Sequence, residues 1–230
     1  MLIKSFHMRT ALITGVSKGI GKAEAQKLLA EGFHVFGTST TGKIDYAHKN
    51  LQIIPLDLKS SESIAACASA IAKTKTMFNV VINNAGVLLD DEDTVLIPEK
   101  LRATLEVNLI GTAEFTERVL SSVKKEGIIV MTSSTAGSLQ LAETADHYPL
   151  HYPAYKISKA ALNMYMRTLA RRLRDTGPIV LSVHPGWVKT DMGGEEADTT
   201  PEEAAEDIYH TIVSRPKNGV FLFRGRHIPW

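Results

Sequence analysis

Cysteine is almost missing from this chain of 230 residues. The single one, Cys67, excludes an internal disulfide and any cysteine-built metal site. It sits in the small-residue helical run Ile64 to Ile71, where the thiol reads as packing rather than as a reactive group. An excess of either charge is missing too. Lys and Arg number 26 against 25 Asp and Glu, and the net charge of +1 gives no overall pull towards nucleic acid or membrane. No apolar run approaches transmembrane length. Met1 to Met8 lack the apolar core and small-residue cleavage site of a signal peptide, so a cytoplasmic location is expected. With no repeat, low-complexity tract or linker, residues 1–230 read as one domain.

What is present is an ordinary globular composition, 44% hydrophobic and 22% charged, arranged as alternating strands and helices. Strands are expected at Arg9 to Thr14, Phe33 to Thr38, Leu51 to Leu56, Phe78 to Ile82, Gly127 to Met131, Ile179 to Val183 and Val220 to Phe223. Helices are expected at Lys22 to Glu31, Ser61 to Lys73, Leu101 to Val119, Tyr155 to about Arg174 and Pro201 to Ser214. Near-continuous apolar strands alternating with helices imply an α/β fold: one doubly wound, Rossmann-type sheet of about seven parallel strands with helices on both faces.

The first strand runs into Gly15-Val-Ser-Lys-Gly-Ile-Gly21 and then a helix. The spacing is G-x-x-x-G-x-G rather than G-x-G-x-x-G, and alone it would suit an unliganded turn. In its strand–turn–helix setting it reads as a dinucleotide cradle, with the pyrophosphate on the helix N-terminus. No carboxylate follows the second strand until Asp45, whereas Ser39, Thr40, Lys18 and Lys43 would suit a 2′-phosphate. NADP(H) is therefore expected over NAD(H), with Lys43 alternatively a solvated loop residue. Ligands of such sheets lie beyond the strand carboxyl ends, where Asp57, Asn83 to Gly86, Ser134 and Pro185 to Thr190 also fall.

Tyr155 and Lys159, four residues apart, share a helix face. A cation beside a phenol favours the phenolate, which makes the pair a proton-transfer device. Tyr152 and Lys156 share the spacing, but Pro153 biases Tyr152 out of helix. These segments together resemble the short-chain dehydrogenase/reductase family over nearly the whole chain. Thr14 to Gly21 resembles its cofactor turn and Asn83 to Gly86 its sheet-stabilising motif. Asn108, Ser134, Tyr155 and Lys159 match its catalytic tetrad, with Ser134 chosen over Ser133 by the Ser-x-x-Gly spacing to Gly137. Trp187 to Gly194 and Gly225 to Trp230 are most similar to C-factor and sniffer-type carbonyl reductases.

The resemblance implies hydride exchange between a nicotinamide cofactor and a small carbonyl or alcohol substrate. Tyr155 would donate the proton, Lys159 lower the Tyr155 pKa and hold the nicotinamide ribose, Ser134 bond the developing alkoxide, and Asn108 position a water. The cofactor would lie on Gly15, Ser17, Lys18, Gly19, Ile20, Gly21, Ser39, Thr40, Asp57, Asn84, Ala85, Gly86, Tyr155, Lys159, Pro185, Gly186, Val188 and Thr190. Substrate would meet Ser134, Tyr155 and Trp187, with Trp187 alternatively packing on its own loop. The family needs no metal, and His147 and His151 read as lining or covering the substrate entrance. The long Ser138 to Ala154 stretch implies a flap beside the pocket, and the short Asp191 to Pro201 stretch implies truncated covering helices. Assembly as a homodimer or homotetramer is in keeping with the family, whereas the resemblance to sniffer-type carbonyl reductases implies a monomer as the alternative. Met164 and Met166 read as packing or subunit-contact residues. A non-catalytic NADP-binding redox sensor or signalling protein on the same fold is the alternative.

Overall fold

The structure, a computed structural model, describes residues 9–143 and 151–230. Its strands are β1 (Thr10–Ile13), β2 (His34–Ser39), β3 (Leu51–Pro55), β4 (Phe78–Asn83), β5 (Val123–Thr132), β6 (Ile179–Val183), β7 (Phe221–Phe223) and β8 (Arg226–His227). They form one sheet in the order β3-β2-β1-β4-β5-β6-β7-β8. Every neighbouring pair is parallel except β7 and β8. The expected seven parallel strands are present. The eighth was missed because two exposed polar residues carry no apolar pattern.

Helices α1 (Gly19–Ala30) and α6 (Pro201–Ser214) cover one face, while α2 (Ser61–Lys73), α4 (Thr112–Val119) and α5 (Pro153–Leu173) cover the other. Side chains of β1 divide by the pleat. Ala11 and Ile13 join Leu28, Ile208 and Ile212 in one core, and Leu12 joins Ile64, Phe115, Leu162 and Met166 in the other. Cys67 lies in the second core, and burial pushes its thiol pKa up to about 12, as the packing reading requires. Met166 is buried while Met164 is exposed. Among the described residues no helix is long and apolar enough to cross a membrane.

The expected helical stretch Leu101 to Val119 is present and starts earlier, at Pro98: α3 (Pro98–Leu105) passes through a π-helical turn, Glu106–Gly111, into α4. The turn ends at a close approach. A Cβ at Gly111 would fall 2.0 Å from the Leu58 carbonyl oxygen, so the helix presses its backbone onto the loop after β3. Asn108, inside this turn, is buried, and the Thr112 hydroxyl donates to the Val107 carbonyl at 2.9 Å.

Glu24, on the sheet side of α1, is 2% exposed, and neither carboxyl oxygen has a hydrogen-bond partner. Burial raises its pKa to about 8. The folded chain therefore keeps a proton that the unfolded chain releases near pH 4.5, and stability falls as pH rises between those values. The slope from this group is about 1.4 kcal/mol per pH unit, or about 3–5 °C in Tm. Melting curves from pH 5 to 8 should show this decline in the native sequence and its loss in Glu24→Gln. Parallel curves for the two proteins would contradict it.

Candidate active site

The chain winds outward from β1 through β2 to β3, then returns to lay β4 on the other side of β1. The carboxyl ends of β1 and β4 therefore diverge into a crevice. The backbone after β1 turns sharply at Gly15, whose φ of 75° is left-handed. Thr14 and Asn84 lock this turn to the end of β4. The Thr14 hydroxyl accepts the Asn84 and Ala85 N–H groups at 3.0 Å, and the Asn84 amide donates to the carbonyls of Thr14 and Gly15 at 3.0 and 3.3 Å. From β2, the Thr38 hydroxyl accepts the Gly15 N–H at 3.3 Å. Thr14 opens the segment that resembles the family's cofactor turn, but its clamping role was not foreseen. Thr38 was not singled out, and a hydroxyl at a strand end is the only local signal it gives.

A Cβ at Gly21 would lie 2.3 Å from the Gly15 oxygen and 2.4 Å from the Asn84 amide nitrogen. The N-cap residue of α1, Lys18, makes no side-chain cap hydrogen bond, and no acidic residue stands in the helix's first turn. An open helix N-terminus beneath a glycine turn suits a pyrophosphate. Gly15, Ser17, Ser39, Asp57, Ala85 and Gly86 line an adjoining open cleft of about 130 Å³, with exposed Thr40 at its edge. Ile20 packs into the core, which leaves its backbone for the ligand, and Asn84 is likewise engaged behind the turn. The Asp57 carboxylate accepts the Lys59 N–H at 2.9 Å. The residues present fit a dinucleotide.

The segment after β6 closes the cleft from the far side. Gly186 takes a φ of 97°, and Val188 bridges to Thr199. The Thr190 methyl sits over the glycine turn, 3.2 Å from where a Cβ of Gly19 would lie. The neighbouring Asp191 pairs with Lys18. Lys43 is exposed, and Asp45 pairs with Lys22 at 2.9 Å. Pro185 is partly buried at the end of β6. Trp187 is 54% exposed, and its indole N–H donates to the Gly193 carbonyl at 2.7 Å. Between Asp191 and Pro201 there are turns and no helix, which agrees with the truncation expected there.

At the centre, Lys159 is 4% exposed and its ammonium donates to the Thr132 carbonyl at 2.8 Å. The nitrogen lies 5.4 Å from the centroid of the Tyr155 ring. Burial holds its pKa down to about 8. Asn108 is engaged on every side: its carbonyl accepts the Val87 N–H at 2.8 Å, and its amide donates to the Val87 carbonyl at 2.9 Å and the Ser158 hydroxyl at 3.0 Å. Ser158 in turn donates to the Tyr155 carbonyl at 2.7 Å. Gly86 lies between Asn108 and Lys159, since a Cβ there would fall 3.2 Å from one and 3.6 Å from the other.

The Ser134 hydroxyl accepts the Ala136 N–H at 3.1 Å and so caps the short turn Thr135–Gly137. That turn rests directly on α5, because a Cβ at Gly137 would fall 2.6 Å from the Lys159 backbone carbon. Tyr155, Lys159, Ser134 and Asn108 are thus drawn to one end of the sheet. Tyr152, by contrast, is left-handed at φ 68° and stands outside α5. Ser133 is turned inward, with a buried hydroxyl that has no partner. His147 and the centre of the expected flap lie outside the described residues. His151 is partly buried, with its ring 5.8 Å from that of Tyr152. Among the described residues no three His, Cys, Asp or Glu side chains are placed to hold a metal.

Residues 9–201 match the family described as short chain dehydrogenase. The 1-hydroxy-2-glutathionyl-2-methyl-3-butene dehydrogenase of Rhodococcus sp. (strain AD45) is 30% identical over 210 residues, covering 89% of this chain and 91% of its own. The NADPH-bound carbonyl reductase from chicken fatty liver superposes with a TM-score of 0.87 at 29% identity, covering 97% of this chain and 94% of its own. The carbonyl reductase Sniffer of D. melanogaster gives 0.83 at 26% identity, covering 97% and 100%. The likeness to carbonyl reductases suggested by the short end segments thus extends to the whole fold. This chain belongs to the short chain dehydrogenase family and is an oxidoreductase that interconverts C=O and CH–OH groups with a nicotinamide cofactor.

Proposed function

We propose that the protein is an NADP(H)-dependent carbonyl reductase of small molecules, with Tyr155 as the proton donor. The observation that carries this reading is the buried Lys159 ammonium held 5.4 Å from the Tyr155 ring. When bound, the nicotinamide supplies or accepts the hydride. Tyr155 delivers a proton to the substrate oxygen, and the Lys159 cation stabilises the phenolate left behind. Ser134 faces the same oxygen and offsets its developing charge. Asn108, with its amide fully engaged, keeps the turns bearing Val87 and Tyr155 in register. Trp187, pinned by Gly193, forms an exposed wall against which substrate packs. Pairing of copies through the exposed Ile110, Ile157 and Met164 of the neighbouring helices, and a cytoplasmic location, complete the proposal.

The preference for NADP(H) is assigned to Lys18, with Ser39 and Thr40 lining the cleft at the end of β2. The NADPH found in the chicken carbonyl reductase supports it. Asp191 holds Lys18 in the free protein, and a 2′-phosphate would compete for the same ammonium. Lys18→Ala should raise the Kd for NADPH about tenfold and leave that for NADH unchanged. An equal change for both cofactors in a fluorescence titration would remove Lys18 from the specificity site.

The test of the whole reading is NADPH and NADH consumption by purified protein across aldehydes, ketones and quinones. Turnover with NADPH is expected. Tight NADPH binding without turnover of any carbonyl would turn the reading towards a redox sensor.

A further inference from the structure

Helix α5 starts without a cap of its own. Its N-cap residue Tyr152 makes no side-chain cap hydrogen bond, and Pro153 has no N–H. The first donors are therefore the N–H groups of Ala154 and Tyr155, since the Lys156 N–H already reaches the Tyr152 carbonyl at 2.9 Å. Both point at one atom from another part of the chain. The Asp90 carboxylate, through Oδ2, accepts the Ala154 N–H at 2.6 Å and the Tyr155 N–H at 3.4 Å. Asp90 is 1% exposed, so bulk solvent cannot take over these bonds.

The loop that carries Asp90 is itself braced. The Asp93 N–H donates to the Asp90 carbonyl at 3.1 Å, and the Tyr152 N–H donates to the Asp93 carbonyl at 3.2 Å. Lys100 on α3 holds the Asp93 carboxylate at 2.6 Å. A negative group at a helix N-terminus also interacts favourably with the helix dipole. The charge is felt nearby: burial lowers the pKa of Lys156, and Asp90 opposes that shift.

We infer that Asp90 is a positioning residue for the reaction, supplying from the loop after β4 the N-cap that α5 lacks and thereby fixing the turn that carries Tyr155. The inference rests on the proposed role of Tyr155 as proton donor. A phenol in a frayed first turn moves by an ångström or more, and misplacement of that size costs about 100-fold in rate.

The test compares Asp90→Ala and Asp90→Asn in the full chain, with Tyr155→Phe alongside. The probe is NADPH-dependent reduction of 4-nitrobenzaldehyde. Asp90→Ala should lose about 10- to 100-fold in kcat while the Kd for NADPH stays within about twofold. Its solvent deuterium isotope effect should rise, because delivery of the proton becomes slower. A simple fall in the fraction of folded enzyme would leave that isotope effect unchanged. Amide exchange at Ala154 and Tyr155 should accelerate, a readout that needs no turnover. Asp90→Asn keeps an acceptor oxygen and should restore most of kcat. Native kcat or native exchange in Asp90→Ala would overturn the inference, as would an equal loss in both variants accompanied by weaker NADPH binding. Turnover at the native rate in Tyr155→Phe would instead sink the proposed mechanism itself.

Discussion

Tyr155→Phe is expected to lower kcat for carbonyl reduction by about 10²- to 10⁴-fold, the range that a positioned general acid contributes. The substitution removes one hydroxyl and keeps the ring, so the packing of α5 against the sheet is preserved. The Lys159 ammonium would still donate to the Thr132 carbonyl and lie over the aromatic face. NADPH titration should give a Kd within a few-fold of the native value, which separates lost chemistry from lost binding. Unchanged kcat would show that the proton comes from elsewhere and remove Tyr155 from the mechanism.

Gly21→Ala is expected to have the second large effect, on cofactor binding rather than on the proton. The added methyl would sit 2.3 Å from the Gly15 oxygen and 2.4 Å from the Asn84 amide nitrogen. The first neighbour is backbone, and the second is a side-chain amide held by its hydrogen bonds to the Thr14 and Gly15 carbonyls. To make room, the turn must separate from α1 or the Asn84 clamp must open, at a cost of about 1–3 kcal/mol. Either movement displaces the N–H groups expected to meet the pyrophosphate, so the Kd for NADPH should rise by about 5- to 150-fold. Gly32→Ala is a suitable control, because no heavy atom lies within 4 Å of a Cβ there. Its φ of 81° would still strain an alanine, so a modest loss of Tm with native NADPH affinity is expected. Native affinity in Gly21→Ala would show that this close packing does not shape the cofactor site.

The parallel core was legible because strands buried on both faces are runs of Val, Ile and Leu, and β1, β4 and β6 announce themselves that way. The start of β5 was not. Lys124, Lys125 and Glu126 read as loop, yet Val123 pairs with Phe78 before the ladder shifts register and resumes at Ile128 and Val80. The π turn was hidden for a different reason. Its last residue, Gly111, packs on the Leu58 carbonyl, which is remote in sequence, and no local propensity marks that contact.

The same division holds at the candidate site. Glycine spacing and the Tyr155–Lys159 interval are local patterns, and both segments lie at the crevice end of the sheet. The engagement of Asn108 with Val87 and Ser158 spans distant segments, as does the pairing of Lys18 with Asp191. Asp90 left one trace in the sequence. Tyr152-Pro153 opens a long helix with no Ser, Thr, Asp or Asn at its start, which leaves its first N–H groups open to a partner from elsewhere in the chain.

The contact of Gly137 with the backbone of Lys159 joins the Ser134 turn and α5 into one body. Sequence change on that side is penalised, because any residue larger than glycine wedges the two apart. The opposite wall, from Trp187 to Thr199, is held largely by its own hydrogen bonds and the Val188–Thr199 bridge, and it meets the glycine turn through the exposed Asp191–Lys18 pair and the Thr190 methyl. Inheritance of the chemistry and adaptation to a substrate are thereby assigned to different pieces of chain. Grafting the 187–199 segment between relatives should exchange their substrate ranges and leave the rate of proton delivery with the host.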